Sequence, residues 1–321
     1  MDLSKTSTRG LRDLWAFHTR FNATLKVTTC GLEHLRREVD HSGGSQVLNA
    51  ILRETNEQWN PGMMLSRPVE VIDYALRDQS LLGIAHVFSA FDDYITRSAA
   101  DLDSWESLLS KRAATTAPSP AARGASDEDG RSVDPLKSFA KRIAFEGDLT
   151  DRAPIEHYMR LVRNCAVHRE GRASTALVAC AESDELIRCH TGWSAHPNRP
   201  LPQLPALALG KHIEVRPRHA ILATNVCFDI ARALDTHLVQ AFGADGITFL
   251  AARDALLRGR FEEWDGAYRS PEAVVAWTLK RVHHANDFRT EEIAPMLKRL
   301  GVWDERRESY RKTCARNGVS A

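Results

Sequence analysis

The stretch "MRLVRNCAVHREG", residues 159 to 171, sets an arginine, an asparagine and a histidine on one short segment and stops it at a glycine. Upstream, Asp151 and Pro154 are start signals, an acidic entry followed by a proline near the first turn, and they predict a helix over 152–169. Ile155, Tyr158, Met159, Val162, Cys165 and Ala166 recur at helical spacing and form one apolar stripe that must face a core. Cys165 lies on that stripe and reads as a small core hydrophobe. Arg160, Asn164 and His168 follow each other at i, i+4 and i+8 on the opposite face, with Arg163 on the flank. Arg163 and His168 are five positions apart, about 140° around an ideal helix, so they do not stack on one another. Either the arginine curls over from the flank, or a second copy of the helix brings its own arginine to this histidine, as a two-fold dimer does.

A helix buried on one side needs partners, and the chain supplies them. From Val69 to Leu102 the apolar residues Leu81, Ile84, Ala85, Phe88, Phe91 and Ile95 trace a second stripe. His86, Asp93 and Arg97 fall on its polar side, as a solvated face with an Asp93–Arg97 pair. A third helix is predicted near 218–242, and further helices over Ile247–Leu257, Pro271–Asn286 and Glu291–Leu300. Residues 111–135, rich in Ala, Ser, Pro, Gly and Asp, read as a mobile insert. Residues 190–220 hold five prolines and predict an extended connection with a short strand around His212 to Val215.

The expected architecture is mostly α: an antiparallel helical bundle over 68–242, an N-terminal helical region over 1–67 and an additional C-terminal helical region over 243–321. With 43 basic against 42 acidic side chains, no overall field advertises a nucleic acid or a membrane, so such binding must come from a local patch. No run of about 18 apolar residues suggests a membrane span. Six cysteines without framework spacing, and an N-terminus without the apolar core of a signal peptide, predict a reduced, cytoplasmic protein.

The segment "YMRLVRNCAVHREG" resembles the R-x(4–6)-H signature of the HEPN superfamily, in the form where a polar residue, here Asn164, follows the arginine. The long helix at 69–102, the motif helix and the helix near 218–242 agree with the small antiparallel bundles of that family, and the resemblance covers about residues 68–242. It implies a metal-independent endoribonuclease, without cofactor, acting as a homodimer. It further implies a setting in toxin–antitoxin or antiviral defence, with an antitoxin or regulatory protein as partner. Some members have lost catalysis and serve only in dimerisation or binding, so a non-catalytic adaptor is the alternative.

The residue types suit that chemistry in their own right. RNA carries its own nucleophile, the 2′-hydroxyl, and the protein must move protons and hold charge. His168 is the candidate acid or base. Arg163 is the candidate grip on the phosphoryl oxygens, with Asn164 orienting the imidazole or bonding the phosphate. Arg160 is a candidate substrate contact. So are Arg311 and Lys312 in the basic stretch Arg306–Arg316, where Trp303 or Tyr310 is available to stack a base. Cys180, Cys189, His190 and His196 lack the paired spacing of a structural zinc site, and His283 and His284 read as ordinary surface residues.

Overall fold

The computed structural model describes residues 1–41, 44–55, 67–116, 135–145, 149, 151–194, 201–258, 261–264 and 270–319. The regular structure among them is helical. The α-helices are α1 (Arg9–His41), α2 (Ser45–Glu54), α3 (Pro68–Thr116), α4 (Pro135–Arg142), α5 (Ala153–His168), α6 (Thr175–Ala181) and α7 (Asp184–Ser194). After them come α8 (Pro217–Ala252), α9 (Pro271–Arg281), α10 (Thr290–Arg299) and α11 (Trp303–Arg316). A π-helical turn, Arg253–Arg258, extends α8, and Phe261–Trp264 is a 3-10 turn.

The expected helices are present, with shifted ends. The helix expected over 69–102 continues to Thr116, so residues 111–116 belong to α3, and Pro135 already opens α4. The insert expected between them otherwise lies outside the described residues. The helix expected to run to Asn286 ends at Arg281, and the strand expected at His212–Val215 is only an isolated antiparallel bridge between Arg172 and His212. Local chemistry accounts for several starts. Ser174 and Ser270 cap α6 and α9 by accepting from the N–H groups of Leu177 and Ala273, and Pro271 fits the first turn of α9.

Contacts gather the chain into two compact units. The first comprises Met1–Leu14, Asp92–Glu146 and Ala231–Ala321, the second Trp15–Phe91 and Gly147–Ile230. In the second unit the core is built by Ile84, Val87, Phe88 and Phe91 of α3, the apolar stripe of α5, and Ala220, Leu222, Ala223, Val226, Cys227 and Ile230 of α8. Gly83 permits close approach there, since a Cβ would stand 3.2 Å from the Phe21 ring and 3.4 Å from Ala220. Where α1 ends and α3 begins, Val39, Leu48 and Ile72 form a smaller cluster.

The first unit buries Leu234, Leu238, Val239, Ile247 and Leu250 of α8 with Val274, Val275 and Leu279 of α9 and Leu297 of α10. Trp264 and Tyr310 stack in this core with ring centroids 5.5 Å apart, and the Trp264 indole N–H donates to the Ala255 carbonyl at 3.2 Å. His283, expected at the surface, is buried instead, because the chain turns inward after α9 ends. Its Nδ1–H donates to the Ser7 carbonyl at 3.1 Å, the Ser7 N–H returns to the His283 carbonyl at 2.9 Å, and burial pushes the imidazole down to about 4.

Asp235 is a deeply buried carboxyl of this unit, only 1% exposed. It accepts from the Thr8 N–H at 3.0 Å and from the Thr8 hydroxyl, and Thr8 in turn caps the start of α1 by accepting from the Leu11 N–H. Burial pushes the carboxyl up to about 7, against the pull of the two Thr8 donors. The folded state then holds a proton that the unfolded chain releases near the ordinary carboxylate value, so this group's contribution is complete at low pH and is lost as the pH rises through about 7. Melting temperatures of wild type and Asp235→Asn, taken from about pH 4 to about pH 8, should converge or cross as the wild type loses ground. Parallel profiles would show that Asp235 does not titrate in this window.

Candidate functional site

The motif helix α5 has the two-sided character its sequence predicts. Ile155, Tyr158, Met159, Val162 and Cys165 are buried, Ala166 is half-buried, and His157, Val167 and His168 are exposed. The buried stripe fixes the rotation of the helix, and that rotation sets where the polar residues emerge.

Arg160 has a structural post. Its neighbour one turn earlier, Glu156, is a buried carboxylate, and the Arg160 Nε and Nη2 both reach Glu156 Oε1 at 2.8 Å. The Arg160 guanidinium also lies over the Phe88 ring, 4.8 Å from its centroid. A buried carboxylate left without its arginine is costly, so this cation is committed to Glu156.

Arg163 and Asn164 form a pair of their own. The Arg163 Nη1 donates to Asn164 Oδ1 at 3.0 Å, so the asparagine oxygen holds the arginine. The Arg163 Nε is shielded from water without a hydrogen-bond partner among the described residues, which leaves one donor of the fork to spend. His168 is the last residue of α5 and stands exposed beyond the pair. Within the one chain, Arg163 and His168 are not joined by any hydrogen bond among the described residues.

The exit from the helix is tightly specified. The N–H groups of Arg169 and Gly171 both return to the Cys165 carbonyl at 3.0 Å, and Glu170 and Gly171 take left-handed φ values of 53° and 74°. From there the backbone pairs with a remote segment. Ile213 N–H donates to the Gly171 carbonyl at 2.9 Å, Ala173 N–H to Lys211 at 2.9 Å, and Gly210 N–H to Ala173 at 3.0 Å. This pairing gathers Arg169, Arg172, Lys211 and His212, all exposed, at the end of α5 that carries His168. Sequence reasoning missed Lys211 and His212, because the bonds that place them are between backbones and leave no side-chain pattern.

His219 anchors the same segment. Its Nδ1 accepts from the Arg216 N–H and its Nε2–H donates to the Gln203 carbonyl, both at 2.9 Å, and burial pushes it down to about 4. A neutral ring is what these two bonds require.

The other expected candidates separate from this site. Arg311 and Lys312 are exposed on α11, which belongs to the first unit, and Lys312 lies 3.7 Å from Glu308. Trp303, Arg306 and Tyr310 of the same helix are buried, so neither ring stands exposed beside Arg311 and Lys312, and the basic face is narrower than expected. The helix turns those three residues into the core that holds Trp264. Cys180 and Cys189 are half-buried and buried, a His190 ring nitrogen lies 3.0 Å from the Pro202 carbonyl, and His196 lies outside the described residues.

Gly171 carries the exit turn. Its left-handed φ disfavours any other residue, and an added Cβ would stand 2.8 Å from Leu81 Cδ1, the movable end of a side chain. Gly171→Ala should therefore lower stability by about 1–3 kcal/mol, mainly through the backbone, and lower the melting temperature by several degrees. An unchanged melting temperature would mean that the turn relaxes without cost. Comparison with known proteins adds nothing to this geometry: no protein-family model, no curated protein and no solved structure matches the chain.

Proposed function

We propose that the chain is a HEPN-type endoribonuclease that cleaves RNA without a metal ion and acts as a homodimer. The observation that supports this reading best is the end of α5. There a hydrogen-bonded Arg163–Asn164 pair precedes an exposed His168, on a helix whose other face buries Ile155, Tyr158, Met159, Val162 and Cys165. The exposed Arg169, Arg172 and Lys211 add cations for the phosphate backbone of RNA.

In the proposed reaction the 2′-oxygen forms a bond to the adjacent phosphorus and the bond from phosphorus to the 5′-oxygen breaks. His168 takes the 2′-hydroxyl proton, and His168 of the partner subunit gives a proton to the leaving 5′-oxygen. Arg163, turned by Asn164, supplies fixed donors to the phosphoryl oxygens as negative charge gathers there. A pair of subunits is invoked because one chain offers a single histidine in the motif and separates it from its arginine by about 140°.

Purified protein should cut RNA in the presence of EDTA, leaving a 2′,3′-cyclic phosphate and a 5′-hydroxyl. RNA with a single 2′-deoxy sugar at the cut position should resist there. His168→Ala should lower the rate by about 10²–10⁴-fold, and Arg163→Ala should lower it without unfolding the protein. Heterodimers of wild type with His168→Ala should stay strongly impaired, because each site draws on the imidazoles of both subunits. A requirement for a divalent ion, a 5′-phosphate product, or activity surviving in both variants would overturn the proposal.

A further inference from the structure

The first unit contains a second concentration of charge, remote in sequence from the motif. A cavity of about 490 Å³ is lined by Arg9, Arg12 and Asp13 of α1, by Asp254 and Trp264, and by Trp277 and Arg281 of α9. A second cavity of about 320 Å³ shares Arg9, Asp13 and Asp254 with it and adds Arg97, Asp101, Arg253 and Arg258. Across the two, six arginines face three aspartates.

The pairing inside this network is uneven. Asp13 lies 3.1 Å from Arg97 and 4.0 Å from Arg9, and Asp254 and Asp101 both receive Arg253, at 2.9 and 2.6 Å. The aspartates are thereby answered, while Arg12 and Arg281 have no carboxylate partner among the described residues. Arg12 Nη1 and Arg253 Nη1 are shielded from water with no hydrogen-bond partner among the described residues, and Arg253 as a whole is only 5% exposed. Donors left unmatched beside a cavity are a standing demand for an acceptor, and surplus guanidinium charge specifies an anionic one. The start of α1, with the positive end of its backbone dipole, adds to that preference.

The cavity also offers a ring. Trp277 is half-exposed and precedes Arg281 by one helical turn, so the indole and the guanidinium project from one face of α9 into the same space. A phosphate held by arginines beside an available indole suits a ligand that joins a phosphate to a flat heterocycle. The volume lies in the range of small-molecule sites.

We propose that this cavity binds a nucleoside 5′-phosphate, its phosphate on Arg12, Arg281 and Arg9 and its base on Trp277. The site is independent of the ribonuclease reading of α5. Titration calorimetry on the full chain, with adenosine and guanosine 5′-monophosphates, inorganic phosphate and the free nucleosides as separate ligands, tests it. A nucleotide should bind with a Kd of about 1 mM or tighter, and phosphate alone and nucleoside alone should each bind at least about tenfold more weakly. Arg281→Gln, at an exposed helix end, should weaken nucleotide binding about tenfold with an unchanged melting temperature, and Trp277→Leu should reduce the preference for nucleotide over phosphate. Arg12→Gln should act like Arg281→Gln, and the latter stands as the test if Arg12→Gln fails to fold. Absence of nucleotide binding, equal binding of the free nucleoside, or unchanged affinity in Arg281→Gln would each overturn the proposal.

Discussion

The constraint on which the rest depends is the burial of α8. From Ala220 to Phe242 its apolar residues are almost entirely shielded: Leu222, Ala223, Val226, Cys227 and Ile230 in one unit, and Ala231, Leu234, Leu238, Val239 and Phe242 in the other. A helix apolar on so much of its circumference cannot lie at a surface, and neighbouring helices have to cover it. It also carries buried polar groups, and each needs its own partner. Thr224 meets His18 Nδ1 at 3.1 Å in the second unit, and Asp235 meets Thr8 in the first. The Tyr94 hydroxyl donates to the Ala231 carbonyl at 3.0 Å. Such bonds add little net stability but penalise any register that breaks them, so they select one packing among several that the apolar surface alone would accept.

The same division between apolar and polar demands organises the motif helix. Burial of the stripe from Ile155 to Cys165 determines the direction in which Arg160, Arg163, Asn164 and His168 leave the helix. Of these four, the two nearer the core are drawn into local bonds, Arg160 by Glu156 and Arg163 by Asn164. Only His168, at the helix end, remains exposed. The gradient from committed cation to exposed imidazole along one helix follows from depth.

What was legible in the sequence was periodicity. The helical class and the placement of α3, α5, α8 and α10 follow from apolar spacing, and the stripe of α5 matches the buried residues at Ile155, Tyr158, Met159, Val162 and Cys165. Illegible were the features that depend on who faces whom. His283 is buried because a loop after α9 turns inward to Ser7, and Arg306, Trp303 and Tyr310 are buried because α11 turns them into a core, although their composition reads as a basic tail. The basic end of α5 depends on a backbone pairing between 171–173 and 210–213, in which side-chain identity plays almost no part. A single bridge is too short to leave the alternating pattern by which strands are recognised.

The two concentrations of arginine illustrate how charge must be read through pairing. In the motif region Arg160 faces the buried carboxylate of Glu156 and is neutralised by it, so its presence on a ridge with Asn164 and His168 says little about substrate. In the first unit three aspartates absorb Arg97, Arg253 and parts of Arg9 and Arg258, and the residual charge falls to Arg12 and Arg281. Counting basic residues along the chain locates neither surplus, since the net charge is only +1. Among the described residues, subtracting each cation that has a carboxylate within reach leaves Arg163, Arg169, Arg172 and Lys211 at the end of α5 that carries His168, and Arg12 and Arg281 beside Trp277. In both places the remaining guanidinium groups stand beside a group of different chemistry, an imidazole in one case and an indole in the other. A surplus that merely kept the protein in solution would have no need of such company, and the pairing of unspent cation with a second recognition element separates a candidate site from a solvated surface.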